Sequence, residues 1–549
     1  MRSLSLLLAL SACGGVQLAP PPWREPPPAK PPAEIDGVVY TPGVPAAARY
    51  NDPAPAAGAA TPLEDMVAVA VAAAAVEDKA AIPDRDARLD GAARELAAFL
   101  PEDVTPPHDL TSFVLSWFGI VEPYAYVVVA TRQERDSAEL AGDIRGALKG
   151  VLAAAHYRRL GVGAASSGGG VRVVIALQES QIATEPIPRE IAAGGSAVVR
   201  GRVAAPLRDP RVFVARPRGD VSTPAVSTGK GGGFGSEVKC ENDVGMLKIE
   251  IVADDPAVGP VVLANLPVWC GVAPPRTHRV ARTGAVTGDA RAIEREIFDL
   301  MNRDRTEASL APLAWDDAAA GAARGHSEEM RDKGYVGHVS PTTGRANERA
   351  QRAGVRSPLI LENVARDYSA REAEAGLMAS PGHRANILSP QATHVGVGVA
   401  VGGRTLAGRA EVYVTQLLFQ KLAPLDGRAA HESFRHYAAA ARAKESLPPL
   451  EEDWQLRNIA EDYARTLVAG GAGAKDAAAA RAGRALDGLS GRFRSVVTLV
   501  QVVTAVGDFR DDAIVDPSAG AYGLGLAQGD DPHLGDGALY MVLLLARPR

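Results

Sequence analysis

Long apolar runs are missing from this chain. Beyond the first residues no segment reaches the roughly 18 apolar residues needed to span a bilayer, and even Met66 to Val76 stops at Glu77. A chain embedded in a membrane is therefore excluded. A charge excess of one sign is missing too, since 59 Lys and Arg stand against 65 Asp and Glu, a net charge of −6 with a pI near 6.0. Bulk electrostatics then gives no reason to expect nucleic acid as a partner. Aromatic residues make up only 5% of the chain, which leaves its cores to Ala, Val and Leu. Cysteine is scarcest of all, at three residues: Cys13, Cys240 and Cys270.

What is present describes a soluble, multidomain protein. Apolar types at 46% and charged types at 23% are ordinary for globular chains. At about 150 residues per domain, 549 residues predict three or four domains. Met1-Arg2, the apolar stretch Leu4 to Leu10 and Leu10-Ser11-Ala12-Cys13 resemble a bacterial lipoprotein signal. That resemblance implies a signal over 1–12 and a lipidated Cys13. It also implies an exported protein held in the bacterial cell envelope, and Gly14-Gly15 after the cysteine points to the outer membrane. The two remaining cysteines form an even pair that an oxidising compartment could join, the alternative being two buried thiols. Residues 20–55 carry twelve of the forty prolines, so 13–60 reads as an extended tether.

A repeat runs through the rest of the chain. DARLDGAARELAAF from Asp86, LAPLAWDDAAAGAARGHSEEM near 310 and LPPLEEDWQLRNIAEDYARTL near 447 are each followed by a glycine-alternating strand. Those strands hold Gly161 and Gly163, Gly396 and Gly398, and Gly523 and Gly525, and each precedes an apolar strand. The repeat predicts three related α/β units, over 61–190, 288–422 and 425–549. Between the first two, residues 195–280 alternate with period two and are broken by turn residues, which predicts a small β-sandwich containing Cys240 and Cys270.

Polar chemistry concentrates in the middle unit. Helical spacing covers Arg291 to Arg303 and Asp316 to Arg331, and three motifs follow: GHVSP at 337–341, LENVA at 361–365 and SPGHRANIL at 380–388. In this order, and closed by GVGVAV, they resemble the CAP superfamily of cysteine-rich secretory, antigen 5 and pathogenesis-related proteins over about 288–422. The resemblance implies an α-β-α sandwich with one cleft, lined by His338, Glu362 and His383 and supported by Asn363 and Asn386. The fold class expected for the whole chain is thus α+β, with a central CAP-like sandwich, two degenerate flanking units and one β-sandwich. Three positions depart from the family pattern: Leu361 where a glycine usually precedes Glu-Asn, Leu377 where a tryptophan is usual, and Ser380 where animal members carry a second acid.

Two imidazoles and a carboxylate are a ligand set for zinc or another divalent cation with an open position; His338 and His383 are the expected metal ligands. Without the family, each histidine would more often be an ordinary hydrogen-bonded residue. His326 lies on an alanine and methionine stripe and reads as a core histidine, outside the site. Two main functions follow. One is a lipid-anchored envelope protein whose central domain binds a lipid, glycan or protein ligand. The other is a metal-assisted hydrolase with Glu362 as general base; the chain shows neither a HExxH helix nor a nucleophile motif. A third, purely structural role would rest on repetition alone.

Overall fold

In a computed structural model, the described residues are 38–549 without 53–57, 101–105, 133–136, 155, 168–169, 242–243, 281–288, 405–409, 471–473 and 533. The signal segment and Cys13 lie outside the described residues. Helices and sheets are mixed throughout, and among the described residues no helix is long and apolar enough to cross a membrane.

Three four-stranded sheets share one plan. Each orders a two-residue strand, the glycine-alternating strand, the apolar strand, and an outer strand antiparallel to the apolar one. In the middle unit these are Ala314–Trp315, His394–Arg404, Ala410–Phe419 and Ile360–Asp367. The glycine alternation has a steric cause. A Cβ on Gly396 would lie 2.0 Å from the Ala320 nitrogen, and one on Gly398 2.0 Å from the Arg324 nitrogen. The bare strand face lets the helix Asp317–Lys333 press its backbone against the sheet. Gly161 and Gly163 meet the helix Ala87–Phe99 in the same way, and Gly523 and Gly525 meet Trp454–Ala469.

The other face of the middle sheet carries Val395, Val397 and Val399, which pack with Ile293, Ile297 and Met301 of the helix Ala290–Glu307 and with Ala373 and Leu377 of Ala370–Ala379. Helices cover both faces, which makes three layers, α-β-α. Asp289 and Asp316 accept from backbone N–H groups in the first turns of Ala290–Glu307 and Asp317–Lys333, so both helices start on a side-chain cap. Of the positions that depart from the family pattern, Leu377 is buried in this core, where an aliphatic side chain fills the layer.

The β-domain packs a four-stranded sheet on a five-stranded one. The Cys240–Cys270 disulfide, with Cα atoms 5.5 Å apart, ties the end of the strand Gly233–Lys239 in one sheet to Gly259–Cys270 in the other. Two boundaries differ from expectation. The strands Ile182–Thr184 and Glu190–Ile191 belong to the β-domain's two sheets and not to the unit before it. The tether read as far as residue 60 joins the fold earlier: Val38–Tyr40 pairs with His278–Val280, and Arg49–Tyr50 pairs with Ile187–Pro188. Tyr40 and Tyr50 explain it, because both rings are buried, and the Tyr50 hydroxyl donates to the Pro267 carbonyl at 2.6 Å.

Candidate functional site

The loop after the helix Asp317–Lys333 presents His338. Ser340 shapes this loop: its Oγ accepts from the Thr342 and Thr343 nitrogens and donates to Glu329. Gly334, at φ 68°, ends the helix in the left-handed region. His326, buried two helical turns earlier, places its Nε2 2.8 Å from the Gly337 carbonyl oxygen.

Glu362 lies on the outer strand of the sheet with its side chain buried. Its Oε1 is 3.0 Å from His338 Nδ1, and its Oε2 accepts from Arg349 of the helix Ala346–Arg352. Arg349 also donates to the His338 carbonyl oxygen at 3.3 Å. Burial pushes the Glu362 carboxyl up, but the His338 hydrogen bond and the charges of His338, Arg349 and His326 outweigh it and leave the carboxyl below the usual range. An ionised carboxylate can only accept, so the Nδ1 of His338 is the donor in this bond.

His383 comes from the first turn of the short helix Pro381–Ile387, which starts on proline. Its ring centroid is 6.3 Å from that of His338. Burial, then the neighbouring His338, pushes this imidazole down to about 3, so it stays neutral at ordinary pH. Asn363 and Asn386 support the helix: Asn386 donates to Asn363 Oδ1 at 2.9 Å and to the Glu362 carbonyl at 3.2 Å, and Asn363 donates to the His383 carbonyl at 3.3 Å. The five residues singled out from the motifs thus stand together.

The network continues where sequence reasoning did not follow it. Asn363 donates to Gln416 Oε1 at 2.9 Å, and Gln416 donates to Glu374 Oε2 at 2.6 Å. A glutamine inside the apolar run EVYVTQLLFQ was the available signal. Burial and the nearby Asp304 raise Glu374 to about 8, against the pull of Gln416 and Arg303. The folded carboxyl keeps its proton to about pH 8, whereas an ordinary glutamate loses it at 4.5. Between these pH values the native state binds more protons than the unfolded one, so stability falls as pH rises, by up to about 1.4 kcal/mol per unit. Glu374→Gln should remove that slope, which denaturant midpoints at about pH 5 and about pH 8 would report.

Of the five motif residues, His383 lines a cavity of about 1990 Å³, whose wall also includes Arg384, Lys248, Glu250, Trp269 and Tyr124. Among the described residues no group of three or more His, Cys, Asp or Glu is arranged to hold a metal ion. Glu362, turned to Arg349 and to His338 Nδ1, orients the His338 ring.

Residues 298–418 match the family described as CAP, cysteine-rich secretory protein family. Over 132 residues, 24% of the chain, it is 33% identical to the uncharacterized protein YkwD of Bacillus subtilis. Over 107 residues, 19% of the chain, it is 39% identical to the uncharacterized membrane protein YlbC of the same organism. The chain spans 51% of the length of YkwD and 31% of YlbC. A solved extracellular protein with an SCP domain from Bacillus anthracis is similar at 22% identity and a TM-score of 0.22, covering 41% of this chain and 82% of that one. The central domain of this chain is where the likeness to the CAP, cysteine-rich secretory protein family lies, over residues 298–418.

Proposed function

We propose that the central domain is a binding module whose locus is the His338 and His383 pair, in a protein of the bacterial cell envelope anchored by lipid on Cys13, at the outer membrane. The observation that carries this reading is the pairing itself: two imidazoles 6.3 Å apart between centroids, one oriented by Glu362 and the other kept neutral by burial. Both can accept a hydrogen bond from a ligand, or offer a nitrogen to a cation. The wide cavity that His383 lines suits a lipid, glycan or peptide better than a small metabolite.

His338 and His383 would hold a divalent cation, with the remaining positions left to water or ligand. Such an ion would supply an electrophilic point for a ligand oxygen. Hydrolysis with Glu362 as general base has less support, because each of its oxygens already has a partner in His338 or Arg349.

The flanking units support the reading as frames without the site. Glu64 with Arg94 repeats Glu294 with Arg324 in the same arrangement. Arg442 reaches the Ile514 and Asp516 carbonyls as Arg305 reaches those of Ile387 and Ser389. We read them as degenerate CAP-like copies that serve as scaffold. Zinc titration calorimetry on the full chain tests the central claim: saturable binding is expected in the wild type, lost in His338→Ala and in His383→Ala. Binding that survives both changes, or no binding at all, would overturn it.

A further inference from the structure

The strand Gly245–Asp255 alternates, with Ile249 and Ile251 buried in the β-domain core, so Glu250 between them faces out of the sandwich. An outward acid on a sheet normally sits in water. Glu250 is instead fully buried, at 0% exposure, because the central domain lies over it. Its oxygens accept from Ser380 Oγ at 2.5 Å, the Gly382 nitrogen at 2.8 Å and Asn265 Nδ2 at 3.0 Å. Two of these three donors belong to the corner that carries His383. Ser380 itself makes no side-chain cap for the helix Pro381–Ile387, so the Gly382 N–H is satisfied from the other domain. A Cβ at residue 382 would lie 2.9 Å from Glu250 Oε1, so the bare glycine lets the carboxylate approach without shifting. The β-domain grips the opposite lip separately: the Val258 carbonyl accepts from the His338 and Val339 nitrogens at 2.8 and 3.0 Å.

We infer that Glu250 is a positioning residue of the His338 and His383 cleft, holding the Ser380–Gly382 corner from which His383 projects, so that the site is built by two domains. The inference rests on the reading of the cleft as the binding locus. It concerns His383's placement and not the ligand's identity.

The test is the reactivity of His383 toward diethyl pyrocarbonate in the full chain, read peptide by peptide, beside backbone hydrogen exchange. In Glu250→Ala, His383 should react about fivefold faster or more, and residues 380–387 should exchange faster, while 337–340 stay as in the wild type. Glu250→Gln should fall between, because its amide oxygen still accepts from Gly382. Ser380→Ala removes one donor without altering the β-domain and should shift His383 in the same direction, which keeps the test open if Glu250→Ala does not fold. Rates of His383 within about twofold of wild type in these variants would overturn the inference. So would equal loosening of both lips, since Glu250 would then only dock the domains. Zinc binding is not the readout, so a failed titration strikes the ligand reading alone.

Discussion

Arg349→Met should cost the central domain about 3–5 kcal/mol. Arg349 and Glu362 are a buried ion pair, their side chains 5% and 4% exposed, and removing the cation leaves a carboxylate in a site that water does not reach. The same guanidinium also holds the His338 and Gly344 carbonyls, so the loop carrying His338 loses its brace in the same step. Denaturant unfolding of the full chain would show the loss as an early transition. Replacing both partners, Arg349→Met with Glu362→Leu, should cost less than the single change, because no charge is left uncompensated. A single-variant loss below about 1 kcal/mol would mean the pair is far better solvated than its burial implies.

The second large effect comes from one methyl group. Gly398→Ala would put a Cβ 2.0 Å from the Arg324 nitrogen and 2.2 Å from the Ala323 carbonyl carbon. These are backbone atoms in the middle of a helix and cannot swing aside, so the helix must lift from the sheet. A loss of about 3 kcal/mol, at the upper end for overpacking, is expected. Gly403→Ala is the control: its Cβ would meet nothing within 4 Å, and the change should stay within about 0.5 kcal/mol. Equal effects at the two positions would refute the close-approach explanation of the glycine alternation.

That alternation is also why so much of the fold was legible in the sequence. A strand with glycine at every second position can pack a helix backbone on one face only, and three such strands, each followed by an apolar partner, announce three sheets of one plan. Helical spacing placed the two helices to within a residue or two at their starts, whereas the caps Asp289 and Asp316 are seen only in the structure. The site was legible only through its motifs. His338 and Glu362 are 24 residues apart, and nothing local brings them together; sheet and loop do. What escaped the sequence depends on surfaces meeting. Arg349 sits among other charged residues of a short helix, and its partner lies on a strand thirteen residues later. Glu250 looks like a solvated strand residue until the domain that covers it is present. The early end of the tether is a similar case: Tyr40 and Tyr50 are ordinary residues of a proline-rich stretch until their rings find places in the fold.

The central claim, that ligand binds between His338 and His383, is tested most directly by imidazole nitrogen NMR of the ¹⁵N-labelled full chain. The account predicts a proton on His338 Nδ1, donated to Glu362, and on adding zinc a shift of His338 Nε2 together with the His383 ring, while His326 and His394 stay in place. A His338 proton on Nε2, or zinc shifts that fall on other histidines and spare this pair, would contradict it.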